Sequence, residues 1–267
     1  MQQDQDVFSR DHITENRRVE AVTITGLPEI VYGNDLGELI VKALDENGLT
    51  LRDGDLIVVA QKVVSKAEGA TAVVEEQEPS KQALELAEVV NKDPKLVQIV
   101  LDQSKRVVRA VQGVLIVETV HGFICANAGI EYSNIEGVGV ATTLPEDSDT
   151  SAATILDSLT GEYGVEIGVI VSDTFNRPWR EGSINVAIGI AGFDPIHDLC
   201  GTMDDYDREM VSSTVSLVDE VASTAQLVMG ESGRVPVAVV RGVEWESGNY
   251  KAGRLLRPAE ICSVSRL

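Results

Sequence analysis

The sequence predicts a fold that mixes helices and strands, of the α/β or α+β class, on three observations. Short apolar runs rich in Val and Ile, such as 56–60 and 165–171, have the length and branching of buried strands. Between them lie segments whose apolar residues recur at helical spacing, as in 36–44 and 152–159. The chain of 267 residues is 43% hydrophobic, enough for a sizeable core in one large domain or two intertwined smaller ones. Aromatic residues make up only 4%, so Val, Ile, Leu and Ala must fill that core.

Residues 1–16 are polar and aperiodic and are expected to form a flexible tail, with the fold occupying 17–267. Residues 18–24 alternate well enough for a first strand, which Gly26-Leu27-Pro28 breaks. Asn34 or Asp35 then caps a helix with Leu36, Leu39, Ile40, Ala43 and Leu44 at helical spacing, and Gly48 stops it. Asp53-Gly54-Asp55 forms a turn before the buried strand 56–60. That strand empties into 61–69, read as a loop carrying Gln61, Lys62 and Lys66. Lysines placed there either meet an anionic ligand or are simply solvated, the commoner case.

Residues 79–91 and 94–104 read as two short helices, each opening on a proline suited to a first helical turn. Segments 106–111 and 113–120 look like a strand pair, with a turn at His121-Gly122 and a further short strand at 123–126. The irregular stretch 127–137 contains Asn127, Glu131 and Asn134; a plain turn is preferred there over an oxygen-rich ligand loop. Gly137-Val138-Gly139 is half of a dinucleotide fingerprint without the helix that should follow.

Ser148 or Asp149 caps a helix to about Thr160, with Ala152, Ile155, Leu156 and Leu159 on its inner face. The run 165–171 ends abruptly in Ser172-Asp173-Thr174, followed by Asn176, Arg177, Trp179 and Arg180. An acid, a hydroxyl and two guanidinium groups at the end of a buried strand suit a metal and phosphate or carboxylate oxygens; a strand with a polar turn is the competing reading. Thereafter 183–192 reads as a buried strand of small residues, 194–208 as an acidic loop and 211–217 as a strand. A helix over 219–229 with a flexible end at 230–233 and a last core strand at 236–240 complete the chain.

Composition narrows the chemistry. A formal charge of −21 argues against binding a nucleic-acid backbone, which needs clustered Lys and Arg. Cys125, Cys200 and Cys262 are far apart and form no CxxC pair, as expected of reduced thiols in a cytoplasmic protein. No signal peptide is recognisable, and no apolar run reaches the ~18 residues that span a membrane, so no membrane partner is expected. There is no GxxxxGK[ST] loop, HExxH, kinase signature or GxSxG elbow, and only three histidines. Carboxylates, hydroxyls, lysines and arginines remain, a set suited to Mg²⁺ or Mn²⁺ and phosphates rather than to zinc.

Taken together, VVAQKVVSKAEG (58–69), CANAGIEYSN (125–134), GVIVSDTFNRPWREG (168–182), VAIGIAG (186–192), DEVASTAQLVMGE (219–231), PVAVVRG (236–242) and GLPEI (26–30) resemble the coenzyme F420:L-glutamate ligases. The resemblance covers roughly residues 18–245. It implies an α+β fold with two lobes, mixed and antiparallel sheets with flanking helices, and an intertwined homodimer. It implies joining L-glutamate to the lactyl carboxylate of the coenzyme F420 precursor, with GTP split to GDP and phosphate, through an acyl phosphate.

Carried over by position, the nucleotide would touch Leu27, Pro28, Glu29, Ile30, Gln61, Lys62, Lys66, Asn134 and the 229–235 segment, including Met229, Gly230, Ser232 and Gly233. Metal ligation, by Mn²⁺ or Mg²⁺ with K⁺ as a further ion, would fall to Glu131, Asp173, Thr174 and Glu231. Glu131 stands where archaeal members carry Asp, and Gln61-Lys62 where they carry a Ser-Thr pair. Arg177 and Arg180, with Asp173, are added as catalytic candidates, because guanidinium groups beside an acid suit the phosphate or the glutamate carboxylates. Without the resemblance, the same residues would suit a metal-dependent phosphotransferase acting on another small acid, or a non-catalytic nucleotide-binding module.

Overall fold

The computed structural model describes residues 17–132, 139–204 and 206–257. The expected tail at 1–16, the nucleotide candidate Asn134 and Cys262 lie outside the described residues. The fold is mixed α+β. In chain order it runs β1 (Glu20–Ile24), α1 (Leu36–Glu46), β2 (Leu56–Ala60), α2 (Gln61–Glu68), β3 (Thr71–Val73), α3 (Lys81–Val90), α4 (Pro94–Asp102), β4 (Ser104–Val111), β5 (Val114–Thr119) and β6 (Ile124–Ala126). It continues with β7 (Val140–Thr142), α5 (Ser148–Tyr163), β8 (Gly168–Arg177), β9 (Arg180–Ala191), β10 (Ile196–Asp198), β11 (Thr214–Ser216), α6 (Leu217–Met229) and β12 (Val237–Arg241).

A five-stranded sheet in the order β1-β12-β2-β8-β9 carries the main core. Its β2–β8 pair is parallel and its other pairs are antiparallel. Leu56 to Val59, Val169 to Val171 and Val237 to Val240 are fully buried, so these strands are covered on both faces, and they read as unbroken apolar runs rather than alternating ones. Helix α5 packs on β8 and β9 and carries α1, while α6 packs on β9, β1 and β12. A smaller core gathers Ala83, Ala87, Val90, Val97 and Val100 of α3 and α4 against Leu115 and Val117 of β5. None of the described helices is long and apolar enough to cross a membrane.

Several boundaries differ from those expected. Segment 61–69 is not a loop: β2 passes at Ala60 straight into α2, which buries Val63, Val64 and Ala67 and ends at Gly69 with φ +73°. Three polar side chains on so short a helix obscured its apolar stripe. Helix α3 is capped by Ser80, whose hydroxyl accepts from the Ala83 amide, so Pro79 precedes it. The cap of α5 is Asp147, accepting from Asp149 and Thr150, and the helix runs on to Tyr163.

The strand at 165–171 does not stop at Ser172. It continues as β8 to Arg177, paired throughout with β9, while β2 stops pairing at Ala60 opposite Ser172. Asp173 and Thr174 therefore lie within a strand, at the point where its other neighbour has ended. The strand expected at 211–217 shrinks to β11, and α6 starts at Leu217. Asp219 anchors that start, one oxygen accepting from the Ala187 amide of β9 and the other from the Ser216 hydroxyl.

Arg241, at the end of β12, grips both oxygens of Asp55 at 2.9 and 3.0 Å. Asp55 is only 2% exposed. Arg241→Ala would leave that carboxylate buried and unpaired, and urea unfolding should show a loss of about 3–5 kcal/mol. The double variant Asp55→Asn with Arg241→Met should recover part of it, because no lone charge remains.

Candidate functional site

The end of the β2–β8 pair opens into a cleft of about 600 Å³. Four parts of the chain meet there: Leu27–Ile30 after β1, the start of α2, the middle of β8 with Glu131, and the segment from α6 into β12. Parallel strands make this possible, because β2 and β8 end their pairing on the same side and both chains leave toward the cleft. Helix α2 has no side-chain cap at Ala60, which leaves its first backbone amides available to anionic oxygens.

Of the residues expected to form the site, Leu27, Pro28, Glu29, Ile30, Gln61, Lys62, Lys66, Glu131, Asp173, Thr174, Met229, Gly230, Glu231 and Ser232 all line this cleft. Gly233 does not, although Arg234 and Val235 of the same segment do. Arg177 and Arg180 also stand outside it. Arg177 donates instead to the carbonyls of Glu181 and Gly182 in its own hairpin, and Arg180 is exposed. That displacement follows from β8 running on: side chains four and seven positions past Asp173 sit well along the β8–β9 ribbon.

The acids dominate the electrostatics. Asp173 is 8% exposed, and burial first, then the charges of Glu131 and Glu231, push its carboxyl up to about 7, although the Thr174 amide and Lys62 pull the other way. Glu131 is held on its backbone by reciprocal bonds with Thr142, and its Oε2 lies 2.5 Å from Lys62 Nζ. That contact is an ion pair, and it ties the start of α2 to the Glu131 strand bridge. Lys66 binds Glu29, and this bond and charge hold the Glu29 carboxyl below its usual range.

One expected contact takes an inward role. Gln61 is 2% exposed and donates to Ser65 Oγ and to the Thr143 carbonyl, tying α2 to the chain beyond β7. Cys125 is buried, and burial followed by the Asp173 charge pushes its thiol up to about 12, which leaves it inert.

Asn185 and Gln226 are among the lining residues that were not anticipated. Asn185, on β9 directly opposite Thr174, accepts from the Thr174 hydroxyl at 2.9 Å. Gln226, on α6, accepts from Asn185 and donates to Glu231 at 2.7 Å. The only hint in the chain was a lone amide inside the otherwise apolar NVAIGIAG. Among the described residues no group of three or more His, Cys, Asp or Glu is arranged to hold an ion on its own. Glu131, Asp173, Thr174 and Glu231 nevertheless offer only oxygen donors, the kind a hard divalent cation takes when ligand oxygens complete the set.

Residues 25–242 match the model of the F420-0:Gamma-glutamyl ligase family. The chain is 44% identical to the coenzyme F420:L-glutamate ligase of Methanothermobacter thermautotrophicus, over 91% of this chain and 97% of that protein. It is 39% identical to the one from Methanocaldococcus jannaschii, over 93% and 97%. With the Methanopyrus kandleri protein of that name the identity is 41%, over 88% and 90%.

Proposed function

Because the chain belongs to the F420-0:gamma-glutamyl ligase family, whose members form a carbon–nitrogen bond, we propose that it joins L-glutamate to the lactyl carboxylate of the coenzyme F420 precursor, with GTP as phosphoryl donor and Mn²⁺ or Mg²⁺ bound. The observation that carries this reading is the single cleft in which 27–30, the start of α2, Glu131 with 172–174, and 226–236 converge. The reading includes K⁺ as a further ion, a two-lobed intertwined homodimer and a cytoplasmic location.

A carboxylate resists attack because it is negative and its oxygen leaves badly. Transfer of the γ-phosphoryl group to a carboxylate oxygen breaks the bond from GDP and forms an acyl phosphate. The glutamate amine then forms the C–N bond, the C–O bond to phosphate breaks, and one proton leaves the nitrogen. Catalysis of such transfers rests on position and charge. The uncapped start of α2 offers amides to phosphate oxygens, with Lys62 and Lys66 beside it; binding phosphate there draws each lysine from its carboxylate partner. Glu131, Asp173, Thr174 and Glu231 would hold the cation, which neutralises phosphate charge when bound. Arg177 and Arg180 remain candidates for a substrate extending along the β8–β9 ribbon.

The test is product mass. Purified protein given GTP, glutamate, acceptor and Mn²⁺ should yield the acceptor plus glutamyl residues, with GDP released in proportion. Omission of any one component should stop both. Acceptor-independent phosphate release without glutamylated product would refute the ligase reading and favour a phosphotransferase.

A further inference from the structure

The residues behind the cleft acids form a hydrogen-bond chain whose direction is dictated from one end. An ionised Glu231 only accepts, so Gln226 must show it the amide nitrogen, which donates at 2.7 Å. Gln226 then turns its Oε1 away, where it accepts from Asn185 Nδ2 at 2.9 Å. Asn185 in turn presents Oδ1 to Thr174, whose hydroxyl donates at 2.9 Å. Each amide has its donor and acceptor on opposite sides, so one assignment settles the next. The hub cannot swing freely: Asn185 is 4% exposed, its Nδ2 also lies 3.3 Å from Ser172 Oγ, and its carbonyl accepts from Ser223 Oγ.

A threonine hydroxyl has one hydrogen. With that hydrogen on Asn185, Thr174 shows the cleft lone pairs alone. A freely rotating hydroxyl would donate to a phosphate oxygen as readily as it would accept a cation. At the other end, Gln226 holds Oε1 of Glu231 and steadies an acid that sits on an exposed segment.

We propose that Asn185 and Gln226 are positioning residues for a hard divalent cation, their relay steadying the Glu231 carboxylate at one end and setting the Thr174 hydroxyl as an oxygen acceptor toward the cleft at the other. The inference rests on the ligase reading with its divalent ion. It assigns a task to one residue of β9 and one of α6, and it makes the wall at Thr174 selective for a cation over an anion.

The experiment is a Mn²⁺ titration of the purified protein, free ion followed by electron paramagnetic resonance, with folding checked by circular dichroism. Gln226→Met, nearly equal in size, should raise the Mn²⁺ Kd about 10–100-fold. Asn185→Leu should do the same, and the double variant should be no weaker than the weaker single, because a relay is lost once. A folded Gln226→Met that binds Mn²⁺ like the parent overturns the relay and leaves the ligase reading standing. Losses that add in the double variant also overturn it. A parent protein that binds no Mn²⁺ removes the cation reading itself and the relay with it.

Discussion

Asp173→Asn should stop glutamylation and at the same time raise the melting temperature of the ligand-free protein. On the proposed reaction, the loss of activity, at least ~10²-fold in kcat, follows from removing a charge that would act on the phosphate and its cation. The gain in stability follows from burial. The folded chain pushes the Asp173 carboxyl from 3.8 to about 7, so the ionised form is disfavoured in the fold. Below pH 3.8 the group is protonated in both states and costs nothing. As pH rises toward 7 the unfolded chain ionises while the folded one resists, and stability falls; above about 7 the whole penalty is present.

At about 1.4 kcal/mol per pH unit, that penalty is of order a few kcal/mol. Asn avoids it and still accepts the Thr174 amide through Oδ1, as Asp173 does. Melting curves of the two proteins at pH 8 should therefore differ by several degrees, and the difference should close as the pH falls toward 4. Added Mn²⁺ should raise the parent and not the variant. Equal melting temperatures at pH 8 without metal would show that the carboxylate is not strained by its site.

Gly189→Ala should be among the most damaging single methyl additions to the described residues. A Cβ at 189 would lie 2.2 Å from the Ser148 carbonyl oxygen and 2.4 Å from its carbon. Both are backbone atoms in the first turn of α5 and cannot rotate away. Relief requires lifting α5 off β9, which breaks the bond from the Ile190 amide to Asp149 Oδ1 and loosens Ala152 and Ile155 from the core. The cost should be about 3 kcal/mol or more in urea unfolding. Activity should fall with it, since β9 also carries Asn185. Gly161→Ala, late in the same helix with open space around its Cβ, is the control and should gain about 0.5–1 kcal/mol.

Much of this architecture is legible in the chain because short-range physics sets it. Val and Ile runs at 56–60 and 236–240 become the doubly buried strands, and Asp35 caps the helix whose apolar spacing follows it. Proline at 94 opens α4 as expected. The acids at 131, 173 and 231 are likewise legible as a set, through an ordered series of motifs rather than any spacing between them.

Other features depend on distant partners. Whether 61–69 is loop or helix turned on a stripe of only Val63, Val64 and Ala67, which shows itself once the core is there to receive it. The length of β8 depended on β9 lying beside it out to Arg177, and that extension carried Arg177 and Arg180 out of the cleft. Asn185 and Gln226 were silent in the sequence because a cross-strand pairing and a helix packed from further along the chain give them their partners. The sequence by itself determined most of the strands and helices, and which acids and lysines are available for chemistry. Only the tertiary structure decided that β2 ends opposite Ser172, and so opens the space into which Asp173 and Thr174 project, because a strand's end is defined by the neighbour it loses.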